Sequence, residues 1–211
     1  MDSLLPMLGI LGAVTIGAMS PGPSLVFVAR TSIALSRADG LAAALGMGVG
    51  GIVFAGLALL GLQAILAQVG WLYAALKLIG GLYLVYLAIG LWRGAGEPVL
   101  VPKTAGPRGI GLGRSFAYGL ATQLSNPKAA VVYGSIFAAL LPPAPSLRLV
   151  AALPPLILLI ETGWYAIVAL AFSADRPRAA YFHSKRWVDR LAGSVIGLLG
   201  VRLIIDTGRS G

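Results

Sequence analysis

The chain has 211 residues, of which 58% are hydrophobic and 11% are charged, and its mean hydropathy is +0.89. Soluble domains carry about 25% charged residues, so this composition excludes an ordinary water-soluble domain. The net charge of +9 does not indicate nucleic-acid binding, because basic residues collect in the cytoplasmic loops of membrane proteins. A membrane span needs about 20 apolar residues, so the length allows about six spans.

Charged and turn-forming residues divide the chain into six apolar segments, each of which we expect to cross the membrane. The first is 3–29, and the uncharged stretch 40–76 is too long for one span, so it is expected to turn at 68–70. A linker at 93–114, rich in Gly, Pro and basic residues, separates half one from half two within one transmembrane domain. The halves are 1–92 and 115–211, and the later spans are near 71–92, 115–141, 149–174 and 191–205, with a basic loop predicted at 175–190.

The distribution of Lys and Arg predicts how these spans are oriented. Eleven basic residues fall in the segments after spans one, three and five, whereas Arg148 and Arg209 fall on the opposite side. By the positive-inside rule, both termini then lie outside the cytoplasm. Three spans per half give the second half the opposite polarity to the first. The predicted fold is therefore an all-α integral membrane protein with six transmembrane helices in a 3+3 inverted repeat.

Each half carries a helix-breaking motif within its first span. The motifs are Ser20-Pro21-Gly22-Pro23 in half one and Ser125-Asn126-Pro127-Lys128 in half two. Proline removes helix hydrogen bonds, and hydrocarbon cannot satisfy the freed carbonyls, so such a break must be surrounded by protein or a wet cavity. Broken helices at corresponding positions of two halves indicate a transporter's binding site. A kink that only shapes packing is the alternative for each motif taken alone.

Ionisable side chains within the spans are the next candidates. A charge at the bilayer centre costs about 2.5 to 3.5 kcal/mol on insertion scales, so such groups face the bundle interior and find partners. We expect Glu161 to pair with Lys77 or Lys128 and to be the group that carries a proton. Lys77 has an alternative, because it can also extend to the outer interface. Trp164 and Tyr165 share the helix face of Glu161 and either line the same cavity or only pack.

Three stretches of sequence carry a family resemblance. They are 19–23 with Arg30 and the glycine-rich run 40–51, then 76–87, then 116–119 leading into Asn126-Pro127-Lys128. On these stretches the chain resembles the lysine exporter (LysE/RhtB) family over nearly its whole length. The resemblance implies a bacterial inner-membrane carrier that expels amino acids such as lysine, arginine, threonine, homoserine or leucine, driven by the proton gradient. It also implies that the two helix breaks form the site together with Glu161, Trp164 and Tyr165 in span five.

The sequence thus predicts a secondary active transporter, not an enzyme, that exports an amino acid or close derivative, with protons and the lipid bilayer as its other partners. No cofactor or metal is expected, since the chain has no Cys and one His. A homo-oligomer is left open. The residues expected to bind substrate are Ser20, Pro21, Gly22, Pro23, Asn126, Pro127, Lys128, Trp164 and Tyr165, with Glu161 and Lys77 for proton coupling or an ion pair.

Two other functions are compatible with the sequence. An inorganic-ion exporter on the same scaffold is the first, although one carboxylate and no cysteine make a poor site for a soft divalent metal. A membrane subunit that acts as a scaffold or sensor is the second. It would leave the broken helices and the charges within the spans as unexplained costs.

Overall fold

The computed structural model describes residues 4–68, 70–95, 111–173 and 175–208. Over these ranges the chain is all-helical, with eight α-helices and no strand. The helices are α1 (Leu4–Met19), α2 (Pro23–Ala34), α3 (Arg37–Gln68), α4 (Gly70–Gly94), α5 (Leu112–Leu124), α6 (Pro127–Leu140), α7 (Leu147–Phe172) and α8 (Asp175–Gly208). Most of the predicted linker, 96–110, lies outside the described residues.

Both sequence motifs interrupt a helix. Helices α1 and α2 are bent by 56° relative to each other across the first motif, and α5 and α6 are separated by Ser125 and Asn126. Pro23 and Pro127 are each the first residue of the helix that follows. Proline is tolerated there because a backbone N–H at this position would have no acceptor within the helix. Each half therefore has two short helices followed by two long ones.

Only some of the six predicted spans meet a strict test of length and composition within the described residues. Two helical stretches are long and apolar enough to cross a membrane, Arg37–Gly61 and Leu147–Phe172, and α1 with α2 can form a third, bent span. Leu78–Gly94 and Pro127–Leu140 are apolar but shorter. The chain is thus a helical membrane protein in which two to three spans pass this test.

The prediction of a basic loop at 175–190 is wrong, because this stretch forms the first half of α8. Pro177 does not prevent the helix, since it stands in the first turn, where N–H groups have no intrahelical acceptor. Ala, Arg and Lys make up much of the remainder, and all three have high helix propensity.

The predicted turn at 68–70 agrees with the end of α3 at Gln68 and the start of α4 at Gly70, while Val69 lies outside the described residues.

Helix α7 lies at the centre of the packing and contributes to two apolar clusters. Ile157 belongs to a cluster with residues of α1 and α6, and Tyr165 belongs to a second cluster with residues of α2 and α3. Glu161 lies between them on the same face, because residues four apart are neighbours on a helix. The junction of the two apolar clusters therefore holds a carboxyl group that is 3% exposed.

Helices α3 and α5 pack backbone against backbone. A Cβ added to Gly46 would lie 2.2 Å from the carbonyl oxygen of Phe116, and one added to Gly119 would lie 2.3 Å from the carbonyl oxygen of Ala43. Small residues permit this close approach between membrane helices. The contact brings the helix that precedes the second break against a long helix of half one.

A buried carboxylate fixes the start of α3 against α5. Asp39 is 3% exposed, and its Oδ2 accepts a 2.6 Å hydrogen bond from the Ser36 hydroxyl. Its Oδ1 accepts a 2.7 Å hydrogen bond from the Ser115 hydroxyl on α5. The Asp39 N–H donates in turn to Ser36 Oγ at 3.0 Å. This is a capping arrangement that also joins the two halves.

We expect Gly119→Ala to lower the melting temperature of the detergent-solubilised protein, measured by helical circular dichroism. The new methyl group meets the backbone of Ala43, which cannot turn aside as a side chain can, and overpacking of this kind costs about 1 to 3 kcal/mol. Gly134→Ala on α6 is the matched control, since nothing lies within 4 Å of a Cβ there. Equal melting temperatures for the two variants would contradict backbone-to-backbone packing.

Candidate functional site

A connected group of polar side chains joins both helix breaks to the centre of α7. Ser20, Ser24, Gln123, Asn126 and Glu161 are all buried. A buried polar group without a hydrogen-bond partner costs several kcal/mol in hydrocarbon, so each of these side chains needs a partner inside the protein. The hydrogen bonds among them cross from one half of the chain to the other.

Asn126 begins this group at the second break. It is the N-cap of α6, and its Oδ1 accepts a 3.0 Å hydrogen bond from the Lys128 N–H. Asn is among the preferred N-cap residues because its side-chain oxygen satisfies a free N–H of the first turn. Its Nδ2 donates to Ser24 Oγ on α2 at 2.9 Å. The cap of one broken helix is therefore bound to the start of the other.

The hydrogen bonds continue from Ser24 to the carboxyl group of Glu161. The Ser24 hydroxyl donates to Gln123 Oε1 at 2.7 Å, and Gln123 Nε2 donates to Glu161 Oε2 at 2.7 Å. The Tyr133 hydroxyl donates to Glu161 Oε1 at 2.9 Å. Both carboxyl oxygens thus have a neutral donor.

Gly51 leaves the space that the Glu161 carboxyl group occupies. A Cβ at Gly51 would lie 2.8 Å from Glu161 Oε2 and 2.9 Å from the Tyr133 hydroxyl. Both distances are shorter than an ordinary van der Waals contact. The absence of a side chain on α3 at this point is therefore a requirement of the site and not only of helix packing.

Lys128 reaches from the second break to the first. Its Nζ donates to the carbonyl oxygens of Ser20, at 3.0 Å, and Pro21, at 3.3 Å, and it also donates to the Ser20 hydroxyl. These carbonyls lie in the interruption between α1 and α2, just past the negative end of the α1 dipole. An ammonium group carries three donors and no acceptor, so it satisfies several exposed carbonyls at once.

The structure differs here from the ion pair expected between Glu161 and Lys128. Glu161 receives its hydrogen bonds from Gln123 and Tyr133, whereas Lys128 binds backbone carbonyls of the other half. The physical reason is that the break offers the ammonium group carbonyl oxygens that accept no backbone hydrogen bond from the described residues. The side chain of Lys77, the other expected partner, lies outside the described residues.

A small cavity lies beside these groups. Its volume is about 30 Å³, which is enough for one or two water molecules. Ser20, Gly22, Asn126, Lys128, Glu161 and Tyr165 line it as expected from the sequence, together with Ser24, Gln123 and Tyr133, which the sequence did not single out. The cavity therefore has an ammonium group and a carboxyl group in its walls.

The remaining predicted site residues lie around the cavity without lining it. Pro23 and Pro127 line a neighbouring open groove, and Asn126 borders both spaces. Pro21 contributes only its carbonyl oxygen, through Lys128. Trp164 packs against the cluster formed by α2, α3 and α7. For Trp164 the packing alternative thus describes its position, whereas Tyr165 lines the cavity.

Three neutral residues of the site, Ser24, Gln123 and Tyr133, were not predicted. The predicted site rested on charged side chains, helix breakers and the aromatic residues that follow Glu161. Gln123 offered a usable signal, since it is a primary amide in an apolar segment three residues before Asn126. Uncharged polar side chains in a membrane span also need partners. Ser24 and Tyr133 offer less, because a hydroxyl group can bond within its own helix and a tyrosine ring packs as an apolar group.

We expect Asn126→Ala to lower the melting temperature more than Ser146→Ala does. Both changes remove an N-cap, worth about 0.5 to 2 kcal/mol, but Ser146 is exposed, whereas Asn126 is buried and also donates to Ser24 of the other half. Asn126→Asp keeps the acceptor for the cap and loses that donor, so its melting temperature should lie between wild type and Asn126→Ala. An equal effect of Asn126→Ala and Ser146→Ala would show that the bond to Ser24 contributes nothing.

Comparison with known proteins places the chain in a family. Residues 15–207 match the family described as LysE type translocator. The threonine efflux protein of Escherichia coli (strain K12) is 34% identical over 89% of this chain and 92% of its own length, and that of Salmonella typhi is 36% identical over the same shares. An uncharacterized membrane protein of Escherichia coli (strain K12), YahN, is 30% identical over 98% of this chain and 92% of its own length.

No solved structure matches this chain. The family match covers almost the whole sequence, including both helix breaks, the buried Gln123 and the carboxyl group of Glu161. Members of such a family are transporters and not enzymes. The chain belongs to the LysE type translocator family.

Proposed function

We propose that this protein exports a small zwitterionic amino acid, with threonine as the first substrate to test, across the bacterial cytoplasmic membrane in exchange for protons. One observation carries the proposal: Lys128 and Glu161 line the same cavity, next to both helix breaks. An amino acid carries one negative and one positive group, which these two side chains complement. Two relatives named threonine efflux proteins support the choice of substrate.

Recognition of the substrate follows from the contacts at the two breaks. The substrate carboxylate would take the place of the Ser20 and Pro21 carbonyl oxygens on Lys128 Nζ. Gly22 is the N-cap of α2 and provides no side-chain cap, so the positive end of the helix dipole also favours an anion there. Both groups already border the cavity.

Coupling to protons follows from competition for one carboxyl group. Ionised Glu161 binds the substrate ammonium group, and protonated Glu161 does not. A proton that arrives from the outside therefore releases the substrate there, and loss of that proton to the cytoplasm restores the binding form. Exchange results because the proton and the substrate ammonium group need the same carboxyl group.

Alternating access requires the cavity to widen, since about 30 Å³ does not hold an amino acid. We propose that the six spans form the 3+3 inverted repeat, with both termini outside, and that the two halves tilt about the breaks. The equal order of short and long helices in both halves supports this arrangement. The basic residues of the predicted cytoplasmic segments support the orientation.

The alternative of an inorganic-ion exporter has less support from the site. Among the described residues that line the cavity, Glu161 is the one acidic side chain, and its oxygens are bonded to neutral donors. Divalent metals bind through several carboxylate, imidazole or thiolate ligands. A zwitterion needs only the single charge of each sign that borders this cavity.

The experiment uses purified protein in liposomes and two modes of threonine transport. One mode is uptake driven by an imposed pH gradient, and the other is counterflow without a gradient. We expect Glu161→Gln to lose both modes, because a neutral amide neither holds the substrate ammonium group nor exchanges a proton, and Lys128→Met to lose both modes because it no longer binds the carboxylate. Arg148→Met removes an exposed cation and is the control, expected to match wild type.

Failure of the wild-type protein to move threonine in either mode, followed by the same failure with a mixture of all common amino acids, would reject the proposed function. Driven uptake by Glu161→Gln with the pH dependence of wild type would reject the coupling role alone. The two results separate the identity of the substrate from the identity of the proton carrier.

The proposed orientation has its own test, which uses the lack of cysteine in the chain. We expect Ser210→Cys to react with a membrane-impermeant maleimide added to intact spheroplasts, because the positive-inside rule places the C-terminus outside. Thr104→Cys, in the predicted cytoplasmic linker, should react only after the membrane is permeabilised. The reverse pattern of labelling would invert the proposed topology.

A further inference from the structure

We propose that Glu161 gains and loses its proton at Oε1, through the hydroxyl group of Tyr133, while Gln123 keeps Oε2 as a permanent acceptor. The proposal rests on the proposed function, because it names the route of the proton in the same site. It assigns Tyr133 and Gln123 separate roles at the two oxygens of one carboxyl group. Both residues contact that carboxyl group directly.

The donor and acceptor in each hydrogen bond between Asn126 and Glu161 follow from the contact of Asn126 with the Lys128 backbone. The backbone N–H of Lys128 can only donate, so the Asn126 oxygen must face it and the Asn126 amide nitrogen must face Ser24. Ser24 has one hydrogen, and with its oxygen accepting from Asn126 it donates that hydrogen onward to Gln123 Oε1. The NH₂ group of Gln123 is then the part that meets Glu161.

This direction decides which oxygen of Glu161 can carry a proton. An amide nitrogen donates and does not accept, so a proton on Oε2 would face another hydrogen across a 2.7 Å contact. Relief would require Gln123 to turn over, which would point its NH₂ group at Ser24 and remove the acceptor of the Ser24 hydroxyl hydrogen. A partly satisfied network of buried polar groups is costly. The hydrogen bonds therefore favour Oε1 as the oxygen that carries the proton.

Tyr133 is suited to handle that proton because a hydroxyl group both donates and accepts. It donates to Oε1 when Glu161 is ionised, at 2.9 Å. Its ring is held between Phe54 and Phe137, at centroid distances of 5.6 Å and 6.3 Å. Because the ring is fixed, the hydroxyl hydrogen can change direction while the oxygen stays next to Glu161.

The transfer balances in protons and charge. A hydronium ion in the cavity gives a proton to the Tyr133 oxygen as the original Tyr133 hydrogen moves to Glu161 Oε1. Glu161 becomes neutral and now donates to the Tyr133 oxygen, Tyr133 remains neutral with its hydrogen directed to the cavity, and water is left behind. Loss of the proton reverses each movement. Tyr133 lines the cavity, whose volume has room for a water molecule.

Other charged and titratable groups also surround the carboxyl group, on several helices. Tyr165 borders the cavity on α7 itself, and Lys128 borders it from α6 with its ammonium group on the Ser20 and Pro21 carbonyls. Asp189 on α8 interacts electrostatically with Lys128. Helix α3 faces the carboxyl group with Gly51, and α1, α2 and α5 line the cavity without an ionisable side chain in the described residues.

The test compares Tyr133→Phe with Tyr86→Phe, a control whose side chain is 70% exposed. Threonine counterflow and pH-driven uptake are measured in liposomes that contain a pH-sensitive dye. We expect Tyr133→Phe to keep counterflow and to slow proton-coupled uptake by about 10²-fold or more, the effect typical of removing a proton-transfer group. Tyr86→Phe should match wild type in both modes.

Infrared difference spectroscopy gives a readout that does not depend on transport. The carbonyl stretch of protonated Glu161 is identified by its loss in Glu161→Gln. In Tyr133→Phe we expect this band to shift to higher frequency, because the protonated Oε1 has lost its hydrogen-bond acceptor. A merely structural role for Tyr133 would not predict that shift.

Several outcomes would overturn the proposal. Proton-coupled uptake at the wild-type rate in Tyr133→Phe, an unshifted carbonyl band, or loss of counterflow in a variant with the wild-type melting temperature each contradicts it. Gln123→Met serves as a second variant if Tyr133→Phe does not fold. It should transport more slowly yet keep its coupling to protons. If Gln123→Met kept counterflow but lost proton-coupled uptake, the proton route would lie on Gln123 instead.

Failure of this inference can be told apart from failure of the proposed function. If the wild-type protein moves no amino acid, the proposed function fails, and the infrared band still decides where Glu161 holds its proton. If the wild-type protein couples threonine to protons and Tyr133→Phe does so equally well, the proposed function stands and this route is wrong.

Discussion

The need to satisfy the backbone at two broken helices determines most of the architecture. Hydrocarbon supplies no hydrogen bonds, so polar groups freed at a break must be bonded within the protein. Lys128 satisfies carbonyl oxygens at the first break, and the cap of the second break donates to Ser24 just past the first. Each half completes the break of the other, which binds the two halves together at the point where both are irregular.

This constraint explains why bulky side chains are absent where the helices meet. The contact of Gly119 with the backbone of Ala43 brings α5 close enough for Gln123 to reach both Ser24 and Glu161. Gly51 then leaves room for the carboxyl group itself. Packing by small residues, a general feature of membrane helices, here also sets the geometry of the polar site.

The same groups suit the proposed transport cycle, because substrate can take over the hydrogen bonds that they make within the protein. A substrate carboxylate can replace carbonyl oxygens on Lys128, and a substrate ammonium group can replace the Tyr133 hydroxyl group on Glu161. Opening the cavity then leaves few buried polar groups without partners, which keeps the energetic cost of the movement low. When the substrate is absent, a proton bound to Glu161 likewise keeps the energetic cost of opening the cavity low.

The sequence by itself determined that this is a helical membrane protein and where its first helices break. It also predicted Glu161, Asn126 and Lys128 as site residues, and all three line one cavity. Those conclusions follow from local rules, since proline and charge act on hydrogen bonding and solvation wherever they stand. It did not determine that 175–190 continues a helix, because high helix propensity outweighed a run of charges. Only the tertiary structure decided which side chains meet, placing Lys128 on backbone carbonyls and Gln123 and Tyr133 on Glu161. Partner choice depends on how closely distant helices approach, and that distance is set by packing, which no local pattern records.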